Sequence, residues 1–353
     1  MNKHRFNYKW YLKDGYPNKN GLKVFGTFIC GGGSTMGYKL AGFEHLGGVE
    51  IDTPIADVYQ TNHNPKYLFV EDIRDFAKRT DFPEDLYNLD ILDGSPPCSS
   101  FSMAGNREKD WGKTKVFREG QAEQRLDDLF FDYIALAKKL QPKVVIAENV
   151  KGLIQGNAKA YVHRIKKEFE AAGYKVQLFL LNAASMGVPQ KRERVFFICQ
   201  RNDLKFPKLE LRFNEKAIQF GKVRTEKGNT KALTERQIRT LSYLTTEKTL
   251  EQIEIKHFGK GSGFTDNVVH DTDIAPTITS GGKQFRAVDK SWFSDYDFQV
   301  CGTYPLDYNF KKIEPKYLIG MSVPPVMIAQ IATEIYLQWF KITDEIQTDG
   351  ISA

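Results

Sequence analysis

The sequence predicts an α/β protein built on a Rossmann-like, doubly wound and mostly parallel sheet, joined to a smaller, loop-rich domain. Short apolar runs alternate with stretches of helical periodicity through the first half of the 353-residue chain, which is typical of parallel strands connected by helices. A glycine cluster follows the first apolar run, and acidic residues follow the next two runs. This is the arrangement with which doubly wound sheets bind nucleotides.

The strands are predicted from apolar runs bounded by polar or turn-forming residues, and the helices from apolar residues that recur every three or four positions. The predicted strands are Val24–Ile29, Leu46–Ile51, Val70–Ile73, Leu89–Leu92, Val144–Ala147, Val176–Leu181 and Arg194–Cys199. The clearest predicted helices are Leu129–Leu140, Tyr161–Ala172 and a closing helix, Met327–Phe340. We therefore expect three segments: 1–202 holding the sheet, 203–294 rich in Lys, Thr, Gly and Asp, and 295–353 returning to the first segment.

The composition is that of a globular protein, with 41% hydrophobic and 27% charged residues. No unbroken run of about 18 apolar residues occurs, and no signal-peptide core follows Met1, so we expect a cytoplasmic protein without a membrane span. The cysteines Cys30, Cys98, Cys199 and Cys301 are widely spaced, so neither disulfides nor a metal site is expected. The net charge of +6 weakly favours a polyanionic partner.

The carboxyl ends of the first three strands suggest an adenosine pocket. Gly32 and Gly33 allow a ligand to approach the backbone, and Glu50 stands about 20 residues further on, where such folds bind ribose hydroxyls. We expect Asp72 near the adenine amino group, with Ile51 and Ile73 against the faces of the ring. From these residues alone, NAD and S-adenosylmethionine both fit.

Three polar groups follow later strands and are candidates for the chemistry. Pro96-Pro97-Cys98 follows the strand at Leu89–Leu92, Glu148-Asn149 follows Val144–Ala147, and Arg192-Glu193-Arg194 leads into the last strand of the sheet. The prolines fix the backbone in front of the cysteine. Each group taken alone also fits a turn or a surface charge cluster.

Taken in order, these motifs resemble those of the cytosine-5 DNA methyltransferases of bacterial or phage restriction-modification systems. The resemblance covers about residues 24–203 and 300–340, and it implies S-adenosylmethionine as cofactor, S-adenosylhomocysteine as product and the methyltransferase form of the doubly wound fold. The motifs are Phe28 with Gly32-Gly33, Glu50, Asp72, Pro96-Pro97-Cys98, Leu129-Phe130-Phe131-Asp132, Glu148-Asn149-Val150, Gln190-Lys191-Arg192-Glu193-Arg194 and Gly320-Met321-Ser322-Val323-Pro324-Pro325. The implied cofactor contacts are Phe28, Gly32, Gly33, Glu50, Ile51, Asp72, Ile73, Pro97, Leu129 and Ser322.

The resemblance also implies a reaction. Cytosine C5 is a poor nucleophile until a thiolate, here Cys98, adds at C6 and turns the ring into an enamine that attacks the sulfonium methyl group. Glu148 would stabilise ring N3, and Asn149 would orient that region. Arg194 matches the arginine that contacts the cytosine carbonyl oxygen, and Arg192 is expected to position Cys98 or a phosphate.

A base inside a duplex is unreachable, so this reaction requires base flipping. The segment between Ser99 and Asp128 resembles the loop that closes over DNA, and we expect Ser99, Ser102, Gly261 and Thr277 to face the DNA. The resemblance makes 1–202 the catalytic and cofactor-binding segment and 203–294 the target-recognition segment. Expected partners are double-stranded DNA and, acting separately, a cognate restriction endonuclease, with the protein itself a monomer.

The chain departs from the family pattern at four positions. Cys30 stands where the family has its first glycine, Ile51 where an aromatic residue stacks on adenine, Ser99 where glutamine follows the nucleophile, and Met321 where asparagine is common. None of these belongs to the Cys98, Glu148 and Arg194 set.

Three alternatives remain open at this point. A tRNA cytosine-5 methyltransferase of the same chemistry would lack a recognition segment as large as 203–294. A non-catalytic DNA-binding protein on this fold would have lost the cysteine or the acid. An amino-methylating DNA enzyme would resemble Ser95-Pro96-Pro97 but would need an aromatic residue in place of Cys98.

Overall fold

The structure is a computed structural model that describes residues 4–97, 128–155, 159–264 and 266–341, together with the backbone of 114–115 and 124–125. The chain divides into two compact units. The sheet unit comprises Tyr16–Leu181, Glu193–Arg212 and Ile328–Ala353, and the small unit comprises Met1–Gly15, Asn182–Arg192 and Phe213–Met327. These bounds differ from the predicted segment ends at residues 202 and 294, because the small unit also takes in 1–15, 182–192 and 295–327, whereas 203–212 belong to the sheet unit. The functions assigned to the segments stay predictions.

A seven-stranded sheet with the order β3-β2-β1-β4-β7-β9-β8 forms the centre of the sheet unit. Strands β1, β2, β3, β4 and β7 pair in parallel, and β9 is antiparallel to β7. The prediction of a doubly wound, mostly parallel sheet is therefore confirmed. The strands are β1 Lys23–Thr27, β2 Glu44–Val49, β3 Tyr67–Phe69, β4 Ile91–Gly94, β5 Thr114–Lys115, β6 Gln124–Arg125, β7 Val144–Val150, β8 Tyr174–Asn182 and β9 Glu193–Arg201, with β5 and β6 pairing separately from the main sheet.

In the sheet unit, helices connect the strands and bury apolar side chains in the same core as the sheet. Helix α4 has the predicted bounds, because Phe130, Tyr133, Ile134 and Ala137 share one face and are all buried. The helices are α1 Gly33–Leu40, α2 Thr53–His63, α3 Ile73–Lys78, α4 Leu129–Leu140, α5 Lys159–Ala171, α6 Glu235–Ser242, α7 Leu250–Phe258, α8 Asp295–Cys301, α9 Pro315–Met321 and α10 Pro325–Ile335.

The predicted third strand, Val70–Ile73, is wrong in its position. Strand β3 is Tyr67–Phe69, and Ile73 begins helix α3. Asp72 is the N-cap of that helix, and its side chain accepts a hydrogen bond from the backbone N–H of Arg74 at 2.8 Å. An N-cap carboxylate satisfies an N–H that the first helical turn leaves without a partner, so the acid here begins a helix and does not end a strand.

The closing helix also differs from its predicted bounds. Helix α10 ends at Ile335 and continues as a π-helical turn, Tyr336–Phe340, in which Trp339 donates a hydrogen bond to the carbonyl of Pro207 at 2.9 Å. The helical stretch Pro315–Phe340 is long and apolar enough to cross a membrane, although 78% of its most apolar window is buried inside the protein. Buried core helices pass the same test, so this stretch is only weak support for a membrane span.

The small unit holds more regular structure than the sequence predicts. Besides α6 and α7 it contains a parallel pair of short strands, β10 Asn267–Val269 and β11 Gln284–Arg286. These elements share a core that consists of Leu241, Leu250, Ile253, Val268 and Phe285. Strands of three residues are too short to show a hydrophobic period, so the sequence suggested only loops here.

Candidate active site

The loop between β1 and α1 has an unusual backbone. Phe28, Cys30 and Gly32 have φ values of 54°, 47° and 75°, in the left-handed region that side chains rarely adopt. A Cβ on Gly32 would lie 2.2 Å from Nε2 of His63, so glycine is required there. Helix α1 begins at the next residue, which places its unpaired backbone N–H groups at the carboxyl edge of the sheet.

Glu50 ties this loop to the end of β2. One carboxylate oxygen accepts a hydrogen bond from the N–H of Cys30 at 3.0 Å, and the other accepts one from the N–H of Asp52 at 2.9 Å. Burial raises the pKa of Glu50, and these backbone hydrogen bonds oppose that shift. The structure therefore holds an acid firmly at the position predicted to bind a ribose.

The other predicted cofactor residues of the sheet unit differ in their exposure. Asp72 forms an ion pair with Arg74 at 3.0 Å besides capping α3. Ile73 and Leu129 are buried within the main hydrophobic core, whereas Phe28, Ile51 and Pro97 are half-buried. Their contacts with a cofactor stay predictions.

Glu148 and Arg194 form a buried ion pair across β7 and β9. The antiparallel register sets Val150 opposite Arg194, and the Nε of Arg194 lies 2.9 Å from Oε1 of Glu148, with side chains only 13% and 11% exposed. Burial lowers the pKa of Arg194, and the charge and hydrogen bond of Glu148 oppose that shift. Two predicted catalytic residues are thus brought together at the carboxyl end of β7.

Asn149 holds the turn that precedes Cys98. Its side-chain amide donates a hydrogen bond to the carbonyl of Pro96 at 3.0 Å, and its own carbonyl oxygen accepts one from the N–H of Val150 at 2.9 Å. The Pro96-Pro97 turn is therefore anchored to β7. Cys98, Ser99 and Ser102 lie outside the described residues.

Arg192 belongs to the small unit and bonds to two backbone carbonyls there. It is 3% exposed and donates hydrogen bonds to the carbonyls of Ile278 at 2.8 Å and Gly320 at 3.2 Å. The hydroxyl of Thr277 donates to the carbonyl of Lys191 at 2.6 Å. The two arginines of the Arg192-Glu193-Arg194 motif thus have different partners, and the expected contact of Arg192 with Cys98 or a phosphate stays a prediction.

The remaining predicted residues of the small unit are integrated into its structure. The Ser322 hydroxyl donates to the carbonyl of Leu318 at 2.9 Å and accepts from the hydroxyl of Tyr304 at 2.7 Å. A Cβ on Gly261 would lie 2.8 Å from the Glu251 side chain. Gln190, to which the sequence assigned no role of its own, bonds through its side-chain amide to the backbone of Ile278 and Cys301, both at 3.0 Å.

Sequence reasoning missed one acidic residue at the carboxyl edge of the sheet. Asp93 lies near the end of β4, is 5% exposed, and accepts a hydrogen bond from the hydroxyl of Tyr38 at 3.0 Å. Burial raises the pKa of Asp93 to about 7, against hydrogen bonds from Tyr38 and Ser34, and the charge of Glu148 adds to the rise. The available signal was an acid that interrupts the apolar run in front of Pro96-Pro97. Among the described residues, no three His, Cys, Asp or Glu side chains form a group that could hold a metal ion.

The fold is shared with solved methyltransferases. The structure superposes on Spodoptera frugiperda DNMT2 with a TM-score of 0.61 and 17% identity, over 90% of this chain and 100% of that one. The Dnmt2 methyltransferase of S. pombe gives a TM-score of 0.58 with 14% identity, over 90% of this chain and 99% of that one. At these identities the likeness concerns the fold alone.

Residues 22–337 match the C-5 cytosine-specific DNA methylase family, and the chain belongs to that family. The Type II methyltransferase M.FnuDI of Fusobacterium nucleatum is 39% identical over 189 residues, which are 54% of this chain and 50% of that protein. The Type II methyltransferase M1.HphI of Haemophilus parahaemolyticus is 25% identical over 337 residues, 89% of this chain and 86% of that protein. The predicted family is confirmed, although the match spans only about half the length of the first of these relatives.

Proposed function

We propose that the protein transfers a methyl group from S-adenosylmethionine to C5 of a flipped-out cytosine in a specific duplex DNA sequence, through a covalent bond between Cys98 and C6. The observation that carries the proposal is the Glu148–Arg194 ion pair, 2.9 Å long, at the carboxyl edge of the sheet in a chain of the C-5 cytosine-specific DNA methylase family. A carboxyl and a guanidinium held side by side offer the acceptor and donor groups that a cytosine ring edge requires.

The residues at this edge fit S-adenosylmethionine. Glu50 is held by the N–H groups of Cys30 and Asp52 where a ribose would bind, and the first turn of α1 presents backbone N–H groups to an anionic group. The bound cofactor supplies the electrophilic methyl group. We assign the ribose to Glu50 and the adenine to the region of Ile51 and Asp72.

The chemistry assigned to the chain's own residues begins with the thiolate of Cys98, which forms the bond from sulfur to C6. The Glu148 carboxyl group, carrying a proton, donates a hydrogen bond to N3 and stabilises the negative charge that develops on the ring. Arg194 donates to the carbonyl oxygen and holds Glu148 in place. After C5 has received the methyl group, it loses its proton to a base, and the bond from sulfur to C6 breaks. Asn149 contributes by holding the Pro96-Pro97 turn.

The proposal includes partners and location. The protein acts as a monomer on double-stranded DNA in the cytoplasm, and a separate endonuclease recognises the same sequence. Residues 203–294 select that sequence through base-edge contacts, while the phosphate contacts position the protein without sequence information.

Bisulfite sequencing of plasmid DNA from cells that express the chain tests this function. We expect 5-methylcytosine at one sequence only, and none with Cys98→Ser, because a serine hydroxyl is not ionised near neutral pH and cannot add at C6. If the plasmid DNA stayed unmodified while tRNA received the methyl group of labelled S-adenosylmethionine, the protein would be a tRNA methyltransferase. The proposed DNA methyltransferase activity would then be wrong.

A further inference from the structure

Asp93 is placed at the crevice of the sheet unit. The strand order reverses between β1 and β4, and the ligands of doubly wound sheets bind at the carboxyl ends of the strands where that reversal occurs. Asp93 is the third of the four residues of β4, in register with Gly26 on β1. The structure thus sets an acid directly at the expected binding crevice.

The carboxyl group of Asp93 is fixed from the side of helix α1. It accepts hydrogen bonds from the hydroxyls of Tyr38, at 3.0 Å, and Ser34, both on α1. Its backbone carbonyl accepts another from the Thr27 hydroxyl at 3.2 Å. Asp93 as a whole residue keeps 5% of its surface exposed. The acid is therefore held in a fixed position and is nearly, but not completely, covered by the protein.

The ionisable groups that act on Asp93, among the residues that the structure describes, include no positively charged side chain. Among the described residues, the ionisable groups that act on it are the acid Glu148 on β7 and the tyrosines Tyr38 on α1, Tyr59 on α2 and Tyr133 on α4. A cation is not among them. A buried carboxylate without a compensating positive charge is costly, which is why the pKa of Asp93 is raised to about 7.

The proposed function determines which part of the cofactor meets Asp93, and the inference rests on it. With the ribose at Glu50, after β2, and the reacting base near Cys98, after β4, the sulfur must lie between them. The methionine tail is attached to the same sulfur, so it falls at the ends of β1 and β4. That tail carries a carboxylate, which suits the N-terminus of α1, and an ammonium group, which needs an acid.

We propose that Asp93, together with Ser34, binds the α-ammonium group of the cofactor's methionine tail. The ammonium supplies the positive charge that none of the described residues provides at this position, and the Asp93 carboxylate accepts a charge-assisted hydrogen bond from it. The site accepts adenosine ligands that carry an amino-acid tail and discriminates against those without one.

Calorimetric titration with S-adenosylhomocysteine and with 5′-methylthioadenosine, which lacks the amino-acid tail, tests the assignment. We expect Asp93→Asn to lower the affinity for S-adenosylhomocysteine by about 10- to 100-fold, the usual range for a lost charged hydrogen bond. The affinity for 5′-methylthioadenosine should change less than about twofold, because that ligand has no ammonium group.

Asp90→Asn is the matched control. Asp90 is buried just before the same strand, where it accepts a hydrogen bond from the N–H of Lys23 at 2.7 Å and pairs with Lys143 at 2.8 Å. This substitution should leave the ratio of the two ligand affinities unchanged.

A second measurement needs no variant and decides the matter if Asp93→Asn does not fold. A bound ammonium lowers the pKa of Asp93, so the binding of S-adenosylhomocysteine should release up to about half a proton from the protein at pH 7. For the same reason, the affinity for S-adenosylhomocysteine should rise between pH 6 and 8. Titrations in two buffers of different ionisation enthalpy report this release, and 5′-methylthioadenosine should release none.

Three results distinguish a failure of the Asp93 assignment from a failure of the proposed function. Binding of both ligands with no proton release, or an Asp93→Asn variant that weakens both equally, would show that Asp93 only supports α1. Failure of the unaltered protein to bind either ligand would overturn the proposed cofactor and the Asp93 assignment with it.

Discussion

The ion pair between Glu148 and Arg194 shows how the site depends on individual residues. A buried pair contributes little by its presence, but the loss of one partner leaves a buried charge uncompensated. Glu193 offers a comparison on the same strand as Arg194. It pairs with Lys151 at 2.9 Å, but its side chain is 41% exposed. Exposed ion pairs contribute only about 0–1 kcal/mol to the free energy of unfolding.

We predict that Glu148→Gln lowers the rate of methyl transfer to DNA by at least about 100-fold, because general acid–base groups contribute about 100- to 10,000-fold. It should also lower the free energy of unfolding by up to about 3–5 kcal/mol, with little effect on the binding of S-adenosylhomocysteine. Filter-binding assays with a tritiated methyl donor and urea titrations measure these effects. Glu193→Gln is the control, and equal losses in the two variants would contradict the assignment.

The raised pKa of Asp93 predicts a pH dependence of stability. The folded protein keeps this proton up to about pH 7, whereas the unfolded chain releases it near the ordinary value of 3.8. The folded state therefore binds more protons between these limits, so the contribution of Asp93 to stability falls as the pH rises through that window. Relative to Asp93→Asn, the unaltered protein should lose up to about 4 kcal/mol between pH 4 and 8. Urea titrations at several pH values check this, and a constant difference would refute it.

At the scale of elements, the loop between β1 and α1 is held in one shape by its backbone and its packing. Gly32 combines a φ of 75° with a neighbouring side chain, since a Cβ would lie 2.2 Å from His63. Gly173 has a φ of 95°, and nothing lies within 4 Å of its would-be Cβ. Substitution of Gly173 therefore tests the cost of the left-handed backbone alone, whereas substitution of Gly32 adds the cost of steric overlap with His63.

We predict that Gly173→Ala costs about 1–2 kcal/mol of stability, the ordinary penalty for a left-handed alanine. Gly32→Ala should cost about 1–3 kcal/mol more, because the ring of His63 must also move. Gly32→Ala should also lower the affinity for S-adenosylhomocysteine, since the loop carries the proposed cofactor contacts. Thermal unfolding measures the stability, and calorimetry measures the affinity for S-adenosylhomocysteine. Equal stability losses in the two variants would show that the ring of His63 moves aside at no cost in free energy.

The sequence predicts elements whose signal is local and misses those that depend on distant partners. Helix α4 follows from its periodicity alone, whereas β7 extends beyond the predicted Val144–Ala147 because its polar end pairs with β9. Glu148 and Arg194 could be found from their motifs. The partners of Arg192 could not, because Ile278 and Gly320 lie 86 and 128 residues away along the chain.

At the scale of the whole molecule, the net charge of +6 is consistent with the DNA substrate of the proposed function. Each phosphate that a lysine or arginine neutralises releases counterions, so binding weakens with salt. Lys260 is exposed beside Gly261 in the small unit, and Lys167 is exposed on α5 of the sheet unit.

We predict that Lys260→Ala weakens binding to cognate and non-cognate DNA alike and reduces the slope of log affinity against log salt by about 0.9, the value for one phosphate contact. Lys167→Ala should change neither. Fluorescence anisotropy at several salt concentrations measures the slope. An effect of Lys260→Ala that is confined to the cognate sequence would point to base recognition instead.

The covalent bond between Cys98 and the target base is the central claim, and one measurement addresses it directly. Fluorine cannot leave C5 as a cation, so DNA with 5-fluorocytosine at the target should trap the protein once the methyl group has been transferred. With S-adenosylmethionine present, we expect a protein–DNA band on a denaturing gel that disappears with Cys98→Ser and with unmodified cytosine. A chain that methylates the unmodified DNA but forms no denaturation-resistant band with the fluorinated DNA would contradict the account.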